Sequence, residues 1–350
     1  MGMTNTNKHL NDIDDLLNKD YGKDKVISNQ TSKTNINNKI SKDKDNGKKE
    51  KTRKPKPIIK RNKDGKIIEL ELSSSIIKQF TFKTESIELC PLKEYHNTIL
   101  KDLREPTTLS QQKGLFFETL CLGISAGDNK MTDLPRKPNG EKTVAQERIE
   151  EQVVMFERFC DEHNVIVIPK DTKTNKKNIQ IKQKVEWDTP NLPIFDGVKI
   201  IIKMEADLIS PIKLSNMYDY DVACIDLKLT KDRDSTFSRF GWGNPDNIDH
   251  IQAYIYSWML EMPFTYLIFD YKPNDRGWKF LPVNMNTKHS DANKANDAKI
   301  KLKEMHQSIR QTAQSILNYD NMEWHTEPDY DRCKNCPVYY CKDKETIKEL

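Results

Sequence analysis

Hydrophobic and polar positions alternate most cleanly at 198–209, in VKIIIKMEADLI. An extended strand there puts Val198, Ile200, Ile202, Met204, Ala206 and Leu208 on one face, with Lys199, Lys203, Glu205 and Asp207 on the other. The same period runs through VACIDLKL at 222–229, where Ala223, Ile225, Leu227 and Leu229 oppose Cys224, Asp226 and Lys228. Further strands are predicted at 67–72 (IIELEL), 165–169, 179–187, 264–271 and 278–285. The spacing turns helical over 143–163, where Val144, Ile149, Val153, Phe156 and Phe159 recur on one stripe. Helices are also predicted at 86–100, 112–122, 247–261 and 290–317. Strands interspersed with helices define an α/β domain, a central mixed β-sheet flanked by helices. No internal repeat interrupts it.

The first 64 residues follow neither period. They are rich in Asn, Lys, Asp, Ser and Thr and too poor in apolar side chains to offset the entropy of ordering. They are expected to form a disordered Lys/Asn-rich tail with one short helix at 12–19, ahead of a single domain over 65–350. Residues 1–66 hold 18 Lys and Arg against 9 Asp and Glu, a net +9 that leaves −5 for the rest of the chain. The basic run KKEKTRKPKPIIKRNKDGK reads equally as an arm that attracts nucleic acid or as a solvated tail with no partner. No apolar run approaches the ~20 residues that span a bilayer. The N-terminus lacks the hydrophobic segment of a secretory signal. The expected setting is the cytoplasm, bacterial or of a host cell, with no membrane partner.

An acid and a lysine side by side on an otherwise apolar strand make an ordinary surface ion pair unless other segments supply partners. Asp207 ends the polar face of the preceding strand, 19 residues before Asp226. Neighbouring strands lie ~4.8 Å apart, so two such carboxylates can grip one divalent ion. Glu118 sits within the apolar GLFFETLCL, where an ionised carboxylate is expensive without a cation; alone it reads as a surface acid. Hard oxygen donors without His favour Mg²⁺ or Mn²⁺. Lys228 beside such an ion can orient and help deprotonate a water that attacks phosphorus. Gln252 and Tyr256, four apart on one helix, share a face.

The order GLFFE, EADLI, IDLKLT, QAYIY resembles the PD-(D/E)xK nucleases, in particular the RecB-like exonuclease clade. The likeness covers about 84–341 and implies a restriction-endonuclease-like core. It also implies metal bound by Glu118, Asp207, Asp226 and the Leu227 carbonyl, with Lys228, Gln252 and Tyr256 as catalytic or supporting residues. Many relatives carry His where Glu118 stands. The implied function is metal-dependent DNA exonuclease activity on a free-ended or single-stranded substrate, in repair, recombination or phage DNA processing, with a helicase or recombination protein as partner. This chain carries no helicase P-loop. Two alternatives stay open: a non-catalytic DNA-binding or scaffold protein, and a sequence-specific restriction-type endonuclease.

Clustered cysteines in a large cytoplasmic chain point to metal before disulfide. Cys333-x2-Cys336-x4-Cys341 follows the nuclease motifs and Cys90 precedes them in ELCPLKEY. The resemblance extends to AddB-type relatives, which implies that these four thiolates hold a 4Fe-4S cluster clamping the two ends of the domain. The last gap is four residues where relatives usually have five. A structural zinc site on the three late cysteines with Cys90 or His325 is the rival. Cys121, Cys160 and Cys224 fall in apolar patterns and read as core.

Overall fold

A computed structural model describes residues 57–86, 90–101, 107–128, 130–169, 177–212, 222–237, 241–243, 248, 250–271, 277–283, 285–324 and 333. The chain divides into Met1–Lys56 and Pro57–Leu350. The predicted helix at 12–19 and most of the basic tail lie outside the described residues. Order begins inside the stretch assigned to that tail. Ile58 and Ile59 are 2% and 8% exposed, and the Ile58 N–H donates to the Ile99 carbonyl at 3.1 Å. Two isoleucines within a basic run are enough to pin it against the sheet.

Seven strands form one mixed sheet in the order β1-β2-β4-β5-β6-β7, with β3 also on β4. They are β1 (Ile59–Arg61), β2 (Ile67–Ser73), β3 (Ile179–Trp187), β4 (Lys199–Pro211), β5 (Val222–Thr230), β6 (Phe264–Asp270) and β7 (Trp278–Val283). The helices are α1 (Ser74–Ser86), α2 (Pro91–Glu94, continued by a π turn over Tyr95–Leu100), α3 (Leu109–Leu122), α4 (Val144–His163), α5 (His250–Leu260) and α6 (Ala292–Asn321). The expected α/β architecture is what the chain adopts. Among the described residues, no helix is long and apolar enough to cross a membrane.

The alternation of β4 is realised as read: Ile200, Ile202, Met204, Ala206 and Leu208 are all buried. The odd-numbered face of β5, Ala223, Ile225 and Leu227, packs under α3 and α4 in one core with Phe116, Phe117, Ile149, Phe156 and Phe159. The opposite face of β5 looks toward α5, which packs with α1 and α6. Each helix start has its own cause. Thr108 and Gln111 form a reciprocal capping box on α3, Thr143 caps α4, and Asp291 accepts the first N–H groups of α6.

Three expectations differ from the structure. Residues 165–169 are not a strand. The Ile166 N–H donates to Ser210 Oγ and the Ile168 N–H to Asn178 Oδ1, both at 2.7 Å, so two buried side chains replace a ladder partner. The helix predicted at 86–100 is divided. A separate helix α1, unpredicted, ends at Ser86, and α2 starts afresh at Pro91, whose ring suits a first helical position and disfavours helix in the residue before it. Finally, α3 is less enclosed than its apolar run suggests: Leu120 is 39% exposed and Glu118 half-buried.

Candidate active site

The site is set by how β4 exchanges neighbours. Its first part, Lys199 to Lys203, pairs parallel with β2, and its last part, Leu208 to Pro211, pairs antiparallel with β5. Both lie on the edge opposite β3, which follows β4 from Ile200 to Leu208. Among the described residues, that edge carries no strand between Lys203 and Leu208. Pairing between β4 and β5 stops at Leu208 with Ile225, and beyond it β5 continues along β6 alone. Asp207 and Asp226 are the first residues past the parting, one on each strand.

The parting frees a backbone donor inside the protein. The Leu227 N–H, with no β4 carbonyl to meet, donates to Asp207 Oδ2 at 2.9 Å. Extended backbone sends the N–H and C=O of one residue toward the same edge, so the Leu227 carbonyl opens toward the same notch. Asp207 is 7% exposed and Asp226 2%. Burial, then the charges of Asp226 and Glu118, push the Asp207 carboxyl well above the usual range, against the pull of Lys228 and the Leu227 N–H.

Glu118 joins from α3. Gln180 Nε2 donates to its Oε1 at 2.5 Å, and the Ala126 N–H is a second donor. Burial, then the Asp226 charge, raise its pKa to about 7, with Lys228, Ala126 and Gln180 pulling the other way. Asp226 is held by two groups: Gln252 Nε2 donates to Oδ1 at 2.7 Å, and Lys228 pairs with Oδ2. Burial draws the Lys228 ammonium toward neutrality, but the charges of Asp226 and Asp207 and the hydrogen bond to Asp226 outweigh it, so its pKa lies above that of an ordinary lysine. Without metal, Lys228 is therefore held as a cation beside Asp226, placed to donate to a neighbouring acceptor. Its Nζ also lies 5.6 Å from the centre of the Tyr266 ring.

Gln252 and Tyr256 serve different partners. Gln252 links Asp226 to Tyr266, whose hydroxyl donates to its Oε1 at 3.4 Å. Tyr256 donates to the Glu205 backbone carbonyl at 3.0 Å and so ties α5 to β4. Both line a cavity of about 650 Å³ with Ser73, Ser75, Lys182 and Lys203 among its other walls; Glu118, Asp207 and Asp226 do not line it, and Gln252 links it to Asp226. A cavity of that size lies in the range of small-ligand sites, roughly 300–1,000 Å³.

Glu118, Asp207, Asp226, Lys228, Gln252 and Tyr256, far apart in sequence, thus converge on one notch and its rim. Among the described residues no three acids are yet gathered at ligand distance: Asp226 turns to Lys228 and Gln252, and Asp207 to a backbone N–H. The donor set nonetheless fits a hard divalent cation. Two of the three carboxylates are below 10% exposure, the Asp226 charge raises the pKa of both Glu118 and Asp207, and a cation at their centre relieves that repulsion. Sequence reading missed Gln180 and Tyr266. Neither belongs to a motif, and only strand register brings each beside the acids.

The cysteines divide. Cys336, Cys341 and His325 lie outside the described residues. Cys90 is half-buried at the N-cap of α2 and Cys333 is 6% exposed. The turn after Cys90 meets the end of α6. The Tyr95 ring packs on Trp324 at 5.0 Å, Trp324 donates to Asp320 at 3.0 Å, and Arg61 grips the same carboxylate with two nitrogens. Cys224 is fully buried, and Cys121 on α3 and Cys160 on α4 lie half-buried against the core, with burial raising all three thiol pKa values.

No family model and no curated protein matches this chain. The crystal structure of SSO0001 aligns over 78% of this chain and 86% of its own, at 13% identity and a TM-score of 0.30. That likeness bears on neither activity nor substrate.

Proposed function

We propose that this chain is a Mg²⁺- or Mn²⁺-dependent deoxyribonuclease of the PD-(D/E)xK kind, acting from DNA ends as the RecB-like exonucleases do. The observation that carries the reading is the notch where β4 and β5 part, which collects Asp207, Asp226 and Lys228 and admits Glu118 from a helix. Glu118, Asp207, Asp226 and the Leu227 carbonyl are the groups to hold metal. A bound ion would polarise the phosphoryl oxygen and lower the pKa of the attacking water. The chain's own residues do the positioning. Gln252 fixes the Asp226 carboxylate, Lys228 orients the water as a hydrogen-bond donor, and Tyr256 braces β4 at Glu205 beside the cavity that would receive the strand.

The deciding experiment digests end-labelled linear and closed circular DNA, single- and double-stranded, with Mn²⁺, against Asp226→Asn and Lys228→Met. Hydrolysis of linear DNA alone, lost in both variants, is the expected result. Discrete fragments from circular DNA would point to a restriction-type endonuclease, and DNA binding without cleavage to a scaffold. Undiminished activity in both variants overturns the site.

For Cys90, Cys333, Cys336 and Cys341 we propose a structural 4Fe-4S cluster. The Tyr95–Trp324 contact supports it, because it brings a residue five positions after Cys90 against one nine positions before Cys333. Anaerobically purified protein should contain iron and acid-labile sulfide. Stoichiometric zinc in their place overturns the cluster and leaves the nuclease reading intact.

A further inference from the structure

Gln180 is the residue around the acids that no motif includes and whose geometry is hardest to explain as packing. It is fully buried at 0% exposure. Register on either side, Ile179 with Leu208 and Ile181 with Ala206, sets it directly across the ladder from Asp207. Its φ is +48° at the second residue of β3, in the left-handed region that residues other than Gly, Asn and Asp rarely enter. A glycine would take that conformation without strain. A long amide held there in spite of the backbone points to a use for the side chain.

The two ends of that amide face different needs. Nε2 donates to Glu118 Oε1 at 2.5 Å. Once Glu118 is ionised it only accepts, so the NH₂ must face it and Oε1 must point elsewhere. Among the described residues that Oε1 is buried and has no hydrogen-bond partner. An orphaned acceptor in the interior is costly unless a ligand or water meets it. The cluster it adjoins is the one that fits a hydrated cation, and the waters on such an ion are donors.

We infer that Gln180 is a positioning residue of the metal site: its Nε2 fixes the Glu118 carboxylate, and its Oε1 accepts a hydrogen bond from a water bound to the ion. The inference rests on the metal-dependent reading above and adds to it a residue that touches no substrate. It also gives the left-handed backbone a reason, since that turn directs a strand residue opposite Asp207 toward α3.

The test is Mn²⁺ binding to the full chain by isothermal titration calorimetry, beside the melting temperature of the metal-free protein. Gln180→Met keeps the bulk and removes both polar ends. Gln180→Gly removes the side chain and relieves the backbone. Both should weaken Mn²⁺ binding at least about tenfold, as loss of a partner behind a ligand does. The metal-free glycine variant should melt no lower than the wild type. Wild-type affinity in Gln180→Gly, or a loss of affinity that only follows a loss of melting temperature, overturns the inference. A wild-type chain that takes up no Mn²⁺ overturns it together with the metal site, whereas wild-type uptake with unaffected variants overturns it alone.

Discussion

Asp207 uses its carboxylate to receive, at 2.9 Å, the backbone N–H of Leu227 that the neighbouring strand has left behind. One side chain closes the gap where the sheet divides and keeps a negative charge at its apex. The two jobs separate on substitution. Asp207→Asn retains an acceptor for the Leu227 N–H and removes the buried charge beside Asp226 and Glu118. The metal-free variant should melt at or above the wild-type temperature at pH 8, while Mn²⁺-dependent hydrolysis falls at least about a hundredfold. Asp207→Ala should lose activity as well and melt lower than Asp207→Asn, because the buried N–H is then unmet at a cost of about 1–3 kcal/mol. Equal melting of the two variants would show that this hydrogen bond does not support the fold.

The raised carboxyl pKa values give a pH dependence of defined sign. Glu118, with an ordinary value of 4.5, rises to about 7 in the folded chain, and Asp207 shifts in the same direction. Between those pH values the folded protein binds more protons than the unfolded one, so stability is full below the unfolded pKa and is lost as pH rises through the folded one. Each proton taken up contributes a slope of about 1.4 kcal/mol per pH unit. The metal-free melting temperature should therefore fall from pH 4.5 toward 7. Saturating Mg²⁺ or Mn²⁺ should flatten that fall, because the ion replaces the protons. A metal-free profile that rises over this range contradicts the clustering of the acids.

Lys228 and Asp226 form a pair in which the acid is almost fully enclosed and the lysine 30% exposed. Removing the cation leaves a buried carboxylate unpaired, which costs on the order of 3 kcal/mol. Lys228→Met should lower the metal-free melting temperature and recover most of it on adding Mn²⁺. Mn²⁺ should bind this variant at least as tightly as the wild type, since a competing charge is gone, yet hydrolysis should drop about a hundredfold or more. Measuring affinity and turnover on one preparation separates orientation of the water from capture of the metal.

Trp324, 3% exposed, packs on both Tyr95 and Tyr319 and donates to the carboxylate that Arg61 grips. Trp324→Ala should cost about 3–5 kcal/mol. If the cysteines hold a cluster, it should also reduce iron per chain in freshly purified protein, as Cys90→Ser should without removing an aromatic. Full iron content in both variants would place the metal elsewhere.

Much of this site was legible before any fold was known. Alternation marked the buried face of β4 and set Asp226 and Lys228 on the same side of β5, because side-chain direction in a strand depends only on parity. The helical stripe of α4 was equally local. The failures follow one pattern. Ile58 and Ile59 lie in a basic run whose average hides them. The 165–169 stretch has strand composition, but Ser210 and Asn178 take its hydrogen bonds. Gln180 resembles any polar residue on a half-exposed strand until register sets it opposite Asp207.

Local order along the chain is enough to say which side chains share a face, where charge is concentrated, and which acids, lysine and cysteines have chemistry to offer. Tertiary structure alone decided that β4 hands its edge from β2 to β5, that the two strands part at Asp207 and Asp226, and that α3 delivers Glu118 to the opening. Those outcomes depend on which strands pair and where pairing stops. Pairing is a competition among distant segments for the same backbone groups, and no local period records its result.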